Sequence, residues 1–286
     1  MRTFILPETL HHFKEICNNA GMTEQTNAIR DKAAIILDKK IGETPLECLE
    51  RFRASKIAAG FVEFSDMPMT YAGRLDPMAS GKLVVLTGED CKRKQDYLGL
   101  DKEYEVEILF GIDTDTHDIL GRISRVDASS SSIVESFQKA AQKYVGTFRQ
   151  AYPAYSSKTV DGKQLHAHAR GGTLPDESEM PHRMVTIYSI EKMEERKLSG
   201  VDIARTAVDH VSKVTGDFRQ AEIIHDWSEF GMLDTALHSK SLFSVIKIRV
   251  VCGNGTYMRS LAKNIGTDIG VGAIAFSIKR TKIGEF

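Results

Sequence analysis

The 286-residue chain contains little that would staple, anchor or metallate it. Its four cysteines, Cys17, Cys48, Cys91 and Cys252, are widely spaced and include no C-x-x-C pair, so they suggest neither a disulfide framework nor a zinc ribbon and read as free thiols. No run approaches the roughly 18–20 apolar residues that span a bilayer. The short apolar patch Phe4–Leu6 meets Pro7 and Glu8 at once and lacks the basic region and long apolar stretch of a secretory signal. A cytoplasmic protein without a membrane partner is the expectation. The net charge of −1 offers no strong overall attraction for nucleic acid.

Hydrophobic residues at 42% and charged residues at 27% are ordinary for a globular chain with a substantial core. The charge is unevenly spread. Residues 247–286 carry seven Lys/Arg against two Asp/Glu, and residues 191–242 carry seven against ten. That asymmetry permits a basic groove on a neutral protein.

Residues 1–30 read as a short helical extension, with Leu10, Phe13, Ile16 and Cys17 at helical spacing. Ala33–Leu37 suits a buried strand, and Pro45 suits the first turn of a helix showing Leu46, Leu49 and Phe52 on one face. From Glu103 to Gly111 the side chains alternate: Tyr104, Val106, Ile108 and Phe110 on one face, Glu103, Glu105 and Glu107 on the other. This is the pattern of a half-buried strand. A helix is expected over Ile133–Tyr144. A further strand around Ile246–Val250 runs through Gly253-Asn254-Gly255 into a helix bearing Met258, Leu261 and Ile265. The acidic stretch 192–243 has helical periodicity through Ile203, Ala207 and Val211 and looks like an insertion decorating the core. Strands and helices without a regular βαβ rhythm favour an α+β fold.

Asp76 stands in a tight turn between Gly73 and Pro77, and on that dipeptide alone an Asx-turn is the simpler reading. The whole segment GRLDPMASGKLVVLTGEDCK resembles the signature around the catalytic Asp of the TruB family of pseudouridine synthases. KEYEVEILFGIDTDTHDILG (102–121), QAYPAYSSKTVDGKQLHAHARGG (150–172) and VVCGNGTYMRSLAKNIG (250–266) resemble further family motifs in the same order, and AIILDKKIGETP is a weaker echo of another.

The resemblance implies the pseudouridine synthase fold: a twisted, mainly antiparallel mixed sheet flanked by helices, spanning residues 31–286 as one catalytic domain with 192–243 inserted. It implies isomerisation of a uridine in RNA, with the T-arm uridine of tRNA as the family's target, no cofactor, no metal and a monomer. Asp76 would act as nucleophile or as a base on the sugar, Arg259 would pair with it, and Tyr104 would stack on the target base. Tyr71, Arg74, Arg170, Tyr257, Ile278 and Arg280 are the expected substrate contacts.

Several positions depart from the family. Tyr71 replaces a His that helps extrude the uridine, and Arg74 replaces a small polar residue. Lys40, Pro45, Tyr152, Thr159 and His166 also differ. The chain stops where the family's C-terminal PUA domain would begin. A metal at the Asp113–Asp118 loop is disfavoured, because that loop lacks the Gly and distal Glu of a calcium-binding loop. The competing readings are a noncatalytic RNA-binding or tRNA-folding module and a glycoside-type hydrolase. The latter needs a second carboxylate, which the Asp76 motif does not supply.

Overall fold

A computed structural model describes residues 34–127, 133–176, 178–236 and 242–285, so the expected extension at 1–30 lies outside the described residues. The first apolar run forms strand β1 (Ala34–Lys39). Helix α1 (Pro45–Ala58) opens on a capping box, in which Thr44 N–H donates to Glu47 Oε2 at 2.6 Å and Glu47 N–H donates to Thr44 Oγ1 at 3.2 Å. That cap fixes where the helix begins, and packing on Leu83 and Val85 fixes which face turns inward. Pro45, Cys48 and Leu49 turn inward, whereas Leu46, expected on the buried face, is 56% exposed.

Then come β2 (Met69–Ala72), β3 (Ala79–Thr87), the short helix α2 (Lys94–Leu98) and β4 (Lys102–Phe110). The alternation expected in β4 is observed, and its three glutamates are each paired from a neighbouring strand or the one beyond. Lys282 reaches Glu103 at 3.1 Å, Lys247 reaches Glu105 at 2.7 Å, and Arg196 reaches Glu107 at 2.6 Å. A small hairpin, β5 (Ile112–Thr114) and β6 (Ile123–Val126), leads to α3 (Ile133–Gln142) and β7 (Gly146–Ala151). The two-residue strands β8 (Thr159–Val160) and β9 (Lys163–Gln164) precede α4 (Leu165–Arg170).

The chain closes with β10 (His182–Ser199), α5 (Gly200–Ser212), α6 (Gln220–Ala236), β11 (Leu242–Cys252), α7 (Met258–Ile269) and β12 (Ala273–Ile283). Within the acidic stretch, residues 192–199 therefore continue a strand, and the helices occupy 200–212 and 220–236. These two helices are built into the main core, not merely laid on it. Trp227, Ile203, Ala207 and Ile223 are buried in the same cluster as the inner faces of β4, β11 and β12.

The large sheet has the order β1-β3-β12-β4-β11-β10-β7, with β2 also on β3. Every pairing is antiparallel except β3 with β12, where Ile278, Lys279 and Arg280 lie beside Ala79, Ser80 and Gly81. Gly81 is required there: its φ is +99°, and a Cβ would collide with the backbone of Arg280. No described helix is long and apolar enough to cross a membrane.

Candidate active site

The turn that carries Asp76 links β2 to β3, and its flanks hold it down. Leu75 and Met78 are 5% and 1% exposed, so the turn is pinned on both sides while the Asp76 side chain stays 41% exposed. Ala79 N–H donates to Asp76 C=O at 3.0 Å, and Gly42 N–H donates to Pro77 C=O at 2.9 Å. The parallel pairing of β3 with β12 places Arg280 beneath the turn. Its Nε donates to Lys82 C=O at 2.7 Å and its Nη1 to Arg74 C=O at 3.3 Å.

Arg259 enters from the first turn of α7, on the far side in sequence. Its Nε donates to Asp76 Oδ2 at 2.8 Å. The other two guanidinium nitrogens are tied to the backbone: Nη1 donates to Thr116 C=O and Nη2 to Tyr155 C=O, each at 3.1 Å. A guanidinium fixed at three points has a single direction available to it. Burial works against its charge, but Asp76 and Asp118 outweigh burial and raise its pKa.

Asp118 was not among the expected site residues. It is buried, with Oδ2 3.5 Å from Arg259 Nε and Oδ1 accepting from Thr116 Oγ1 at 2.7 Å and Leu120 N–H at 2.9 Å. Burial pushes its carboxyl up to about 6, against the pull of Arg259 and the Thr116 hydroxyl, while the charge of Asp76 pushes the same way as burial. The site thus has two carboxylates on one guanidinium. Asp118 sits in the interior and does not offer a second free carboxylate as glycoside hydrolysis requires. Lys39 was also missed. It is 1% exposed, its Nζ donates to Glu43 C=O at 2.5 Å and Lys40 C=O at 2.9 Å, and burial lowers its pKa to about 8. Its neighbours Asp38 and Lys40 are exposed, so nothing local in the sequence marks the buried lysine.

The remaining expected residues fall into two groups. Tyr104, Ile278 and Tyr257 gather near Asp76. Tyr104 and Ile278 share the buried cluster with Leu75 and Met78. Burial raises the Tyr104 hydroxyl pKa, with the charge of Arg280 opposing. Tyr257 caps α7, is held by Gln150 through Tyr257 N–H to Oε1 at 2.8 Å, and meets the Tyr152 ring edge-on at 5.6 Å. Burial, then Tyr152 and Asp76, raise its hydroxyl pKa. Arg280 has one guanidinium nitrogen, Nη2, buried without a partner. Tyr71 packs with the cluster of Cys48, Leu49, Leu83 and Val85 under Lys94 Nζ, 5.3 Å from the ring centre. Arg74 is exposed, and Arg170 donates to Asp217 C=O at 2.7 Å. Among the described residues no three His, Cys, Asp or Glu side chains converge on a possible metal position.

The profile described as TruB family pseudouridylate synthase (N terminal domain) matches residues 65–209, just over half of the chain. The chain belongs to the TruB family. Among TruB relatives, a tRNA pseudouridine synthase B of Borreliella burgdorferi is 28% identical over 253 residues, covering 88% of this chain and 70% of the relative. One from Aromatoleum aromaticum is 31% identical over 252 residues, covering 88% and 63%. A chain from the crystal structure of a Cbf5-Nop10-Gar1 complex superposes with a TM-score of 0.50 at 20% identity, covering 88% of this chain and 48% of that one. This likeness shows the fold: the α+β architecture with a mainly antiparallel mixed sheet. This TruB-family chain therefore spans about half of that solved chain and between three fifths and three quarters of these two curated relatives.

Proposed function

We propose that the protein isomerises uridine to pseudouridine in RNA, with the T-arm uridine of tRNA as its target and Asp76 as the reacting carboxylate. The observation that carries this reading is the Asp76–Arg259 contact at 2.8 Å, between two residues 183 positions apart in a chain of the TruB family. The isomerisation breaks the N-glycosidic bond, turns the uracil and joins its C5 to C1′. Attack on the ring and proton removal from the sugar both require an ionised carboxylate with a free oxygen, and Arg259 engages only Oδ2.

The surrounding groups support the same reading. Turning a nucleotide out of an RNA stack costs a few kcal/mol, and an aromatic platform returns about 1–3 kcal/mol per base. The charge of Asp76 acts on the hydroxyls of both Tyr104 and Tyr257, the aromatic groups read here as that platform. Arg280, 1% exposed, supports the site from beneath, with its charge acting on the Tyr104 hydroxyl and its Nη1 holding the Arg74 carbonyl. On this reading residues 31–286 act as one catalytic domain, as a monomer in the cytoplasm.

The test is incubation with unmodified tRNA followed by pseudouridine mapping. Pseudouridine at the T-arm position is the expected result. Absence of product on any tRNA would overturn the proposal and leave the noncatalytic RNA-binding module in its place.

A further inference from the structure

The segment joining α5 to α6, residues 213–219, touches the supports of both halves of the catalytic pair. On one side its Arg219 meets the supports of Arg259. Arg219 Nη1 is 2.6 Å from Asp115 Oδ2, the guanidinium carbon sits 4.6 Å from the centre of the Tyr155 ring, and Tyr155 Oη donates to the same Asp115 oxygen at 3.2 Å. These three side chains form a closed triangle. Its Tyr155 corner and Thr116, the residue after Asp115, supply the two carbonyls that hold Arg259 Nη1 and Nη2. Arg219 also has φ +60°, a left-handed backbone uncommon for a residue with a side chain, so its own placement is fixed by its surroundings.

On the other side the same segment meets the supports of Asp76. A Cβ on Gly42 would collide with Lys213, and the Thr215 hydroxyl donates to Glu47. Gly42 in turn holds Pro77, the neighbour of Asp76. Helix α6 adds a second grip on the loop that carries Asp118: Asp226 binds Arg122 at 2.8 Å and Trp227 Nε1 donates to Gly121 C=O at 3.2 Å. The family profile ends at residue 209, before Arg219.

We propose that Arg219 is a positioning residue: from the α5–α6 segment it locks Asp115 and Tyr155, and through their backbone fixes the guanidinium of Arg259 against Asp76. The proposal rests on the reading of Asp76 and Arg259 as the catalytic pair. Arginine suits the task because it can ion-pair in the plane of its fork while its face lies on an aromatic ring, which lysine does less well.

The test compares Arg219→Ala, Arg219→Lys and Asp115→Asn with the unaltered protein, with Arg205→Ala on the exposed side of α5 as control. Arg219→Ala is expected to lower kcat about 10- to 100-fold at unchanged KM, the loss that a misplacement of about 1 Å produces. Arg219→Lys should restore part of it and Arg205→Ala should match the unaltered protein. Exchange of the Arg259 Nε–H with solvent, followed by NMR, should quicken at least tenfold in Arg219→Ala, a readout that needs no turnover. Should Arg219→Ala fail to fold, Asp115→Asn and Arg219→Lys carry the comparison. Unchanged kcat and unchanged exchange in the folded variants overturn the proposal. A fall in stability alone, with kcat per folded molecule intact, overturns it too. Absence of turnover in the unaltered protein refutes the catalytic reading instead, and the exchange measurement still decides whether Arg219 holds Arg259.

Discussion

Two loops bring a carboxylate to the same guanidinium, and they differ in what surrounds it. The β2–β3 turn presents the Asp76 carboxylate with Arg259 bound to Oδ2 and 41% of its side chain open. The 113–118 loop buries Asp118 at 6% side-chain exposure among a hydroxyl, a backbone N–H and Arg259. A carboxylate with free lone pairs at the surface can react. One whose oxygens are held in the interior can only set the field. Arg259 stands between them, so its charge is divided. If Asp118 became neutral, the guanidinium would act on Asp76 alone and stabilise the very charge that must attack.

Replacing each carboxylate in turn should break that division of labour, most severely at the open one. Asp76→Asn is expected to lower kcat by about 10⁴-fold or more while RNA affinity, measured by equilibrium binding, persists. Retained turnover would take Asp76 out of the reacting role.

Asp118→Asn should lower kcat by about 10²-fold, through the misdirected guanidinium. In the unaltered protein kcat should fall as pH drops through about 6, where Asp118 takes up a proton. Stability should run the other way. The folded carboxyl titrates at about 6 against an ordinary 3.8, so the native state binds the proton more tightly. The stabilisation from this group is full below 3.8 and is lost as pH rises through about 6. Asp118→Asn should flatten both slopes in kinetic and thermal-unfolding profiles. An unaltered acid limb would assign that limb to another group.

The smallest change is expected from Thr116→Val, which keeps the shape and removes the hydroxyl that donates to Asp118 Oδ1. Losing a hydrogen bond to a charged acceptor costs about 1.5–3 kcal/mol. Because that bond favours the ionised form, its loss should move the acid limb of kcat above pH 6 and leave the plateau at high pH nearly intact. A limb that stays in place would separate Asp118 from the pH dependence.

Much of the frame was legible in the residues. The alternation in β4 and β11, the Pro45 helix start and the glycine turn before α7 are local signals, and local signals survive reading along a line. The Asp76 and Arg259 pair was legible only through motif resemblance, since nothing local announces a contact between positions 183 apart. Asp118 was missed for the same reason: its link to the site is a contact with the distant Arg259, and an Asp between His117 and Ile119 reads as a polar loop. Leu46 was misplaced because the face of α1 that packs on Leu83 and Val85 is the one carrying Cys48 and Leu49, a tertiary choice that apolar spacing alone does not fix. The charged run from Lys192 to Lys197 hid a strand, as Arg196 pairs across the sheet with Glu107, Lys192 pairs along the strand with Glu195, and no apolar stripe forms. Arg170, an expected substrate contact, also donates to the carbonyl of Asp217 on the α5–α6 segment, a contact that the motifs do not cover and local sequence does not announce.

The position of β12 has a consequence for how this protein comes to be made. It fills the middle of the sheet, between β3 and β4, although some 185 residues separate it from β3 along the chain. A nascent chain still short of β12 holds two unfinished half-sheets with bare edges at β3 and β4, the kind of edge that invites mispairing. Arg280 arrives on that same strand to support the Asp76 turn. Closing the seam and readying the reaction centre are therefore one event, and an incompletely synthesised molecule carries no half-assembled, promiscuous active site.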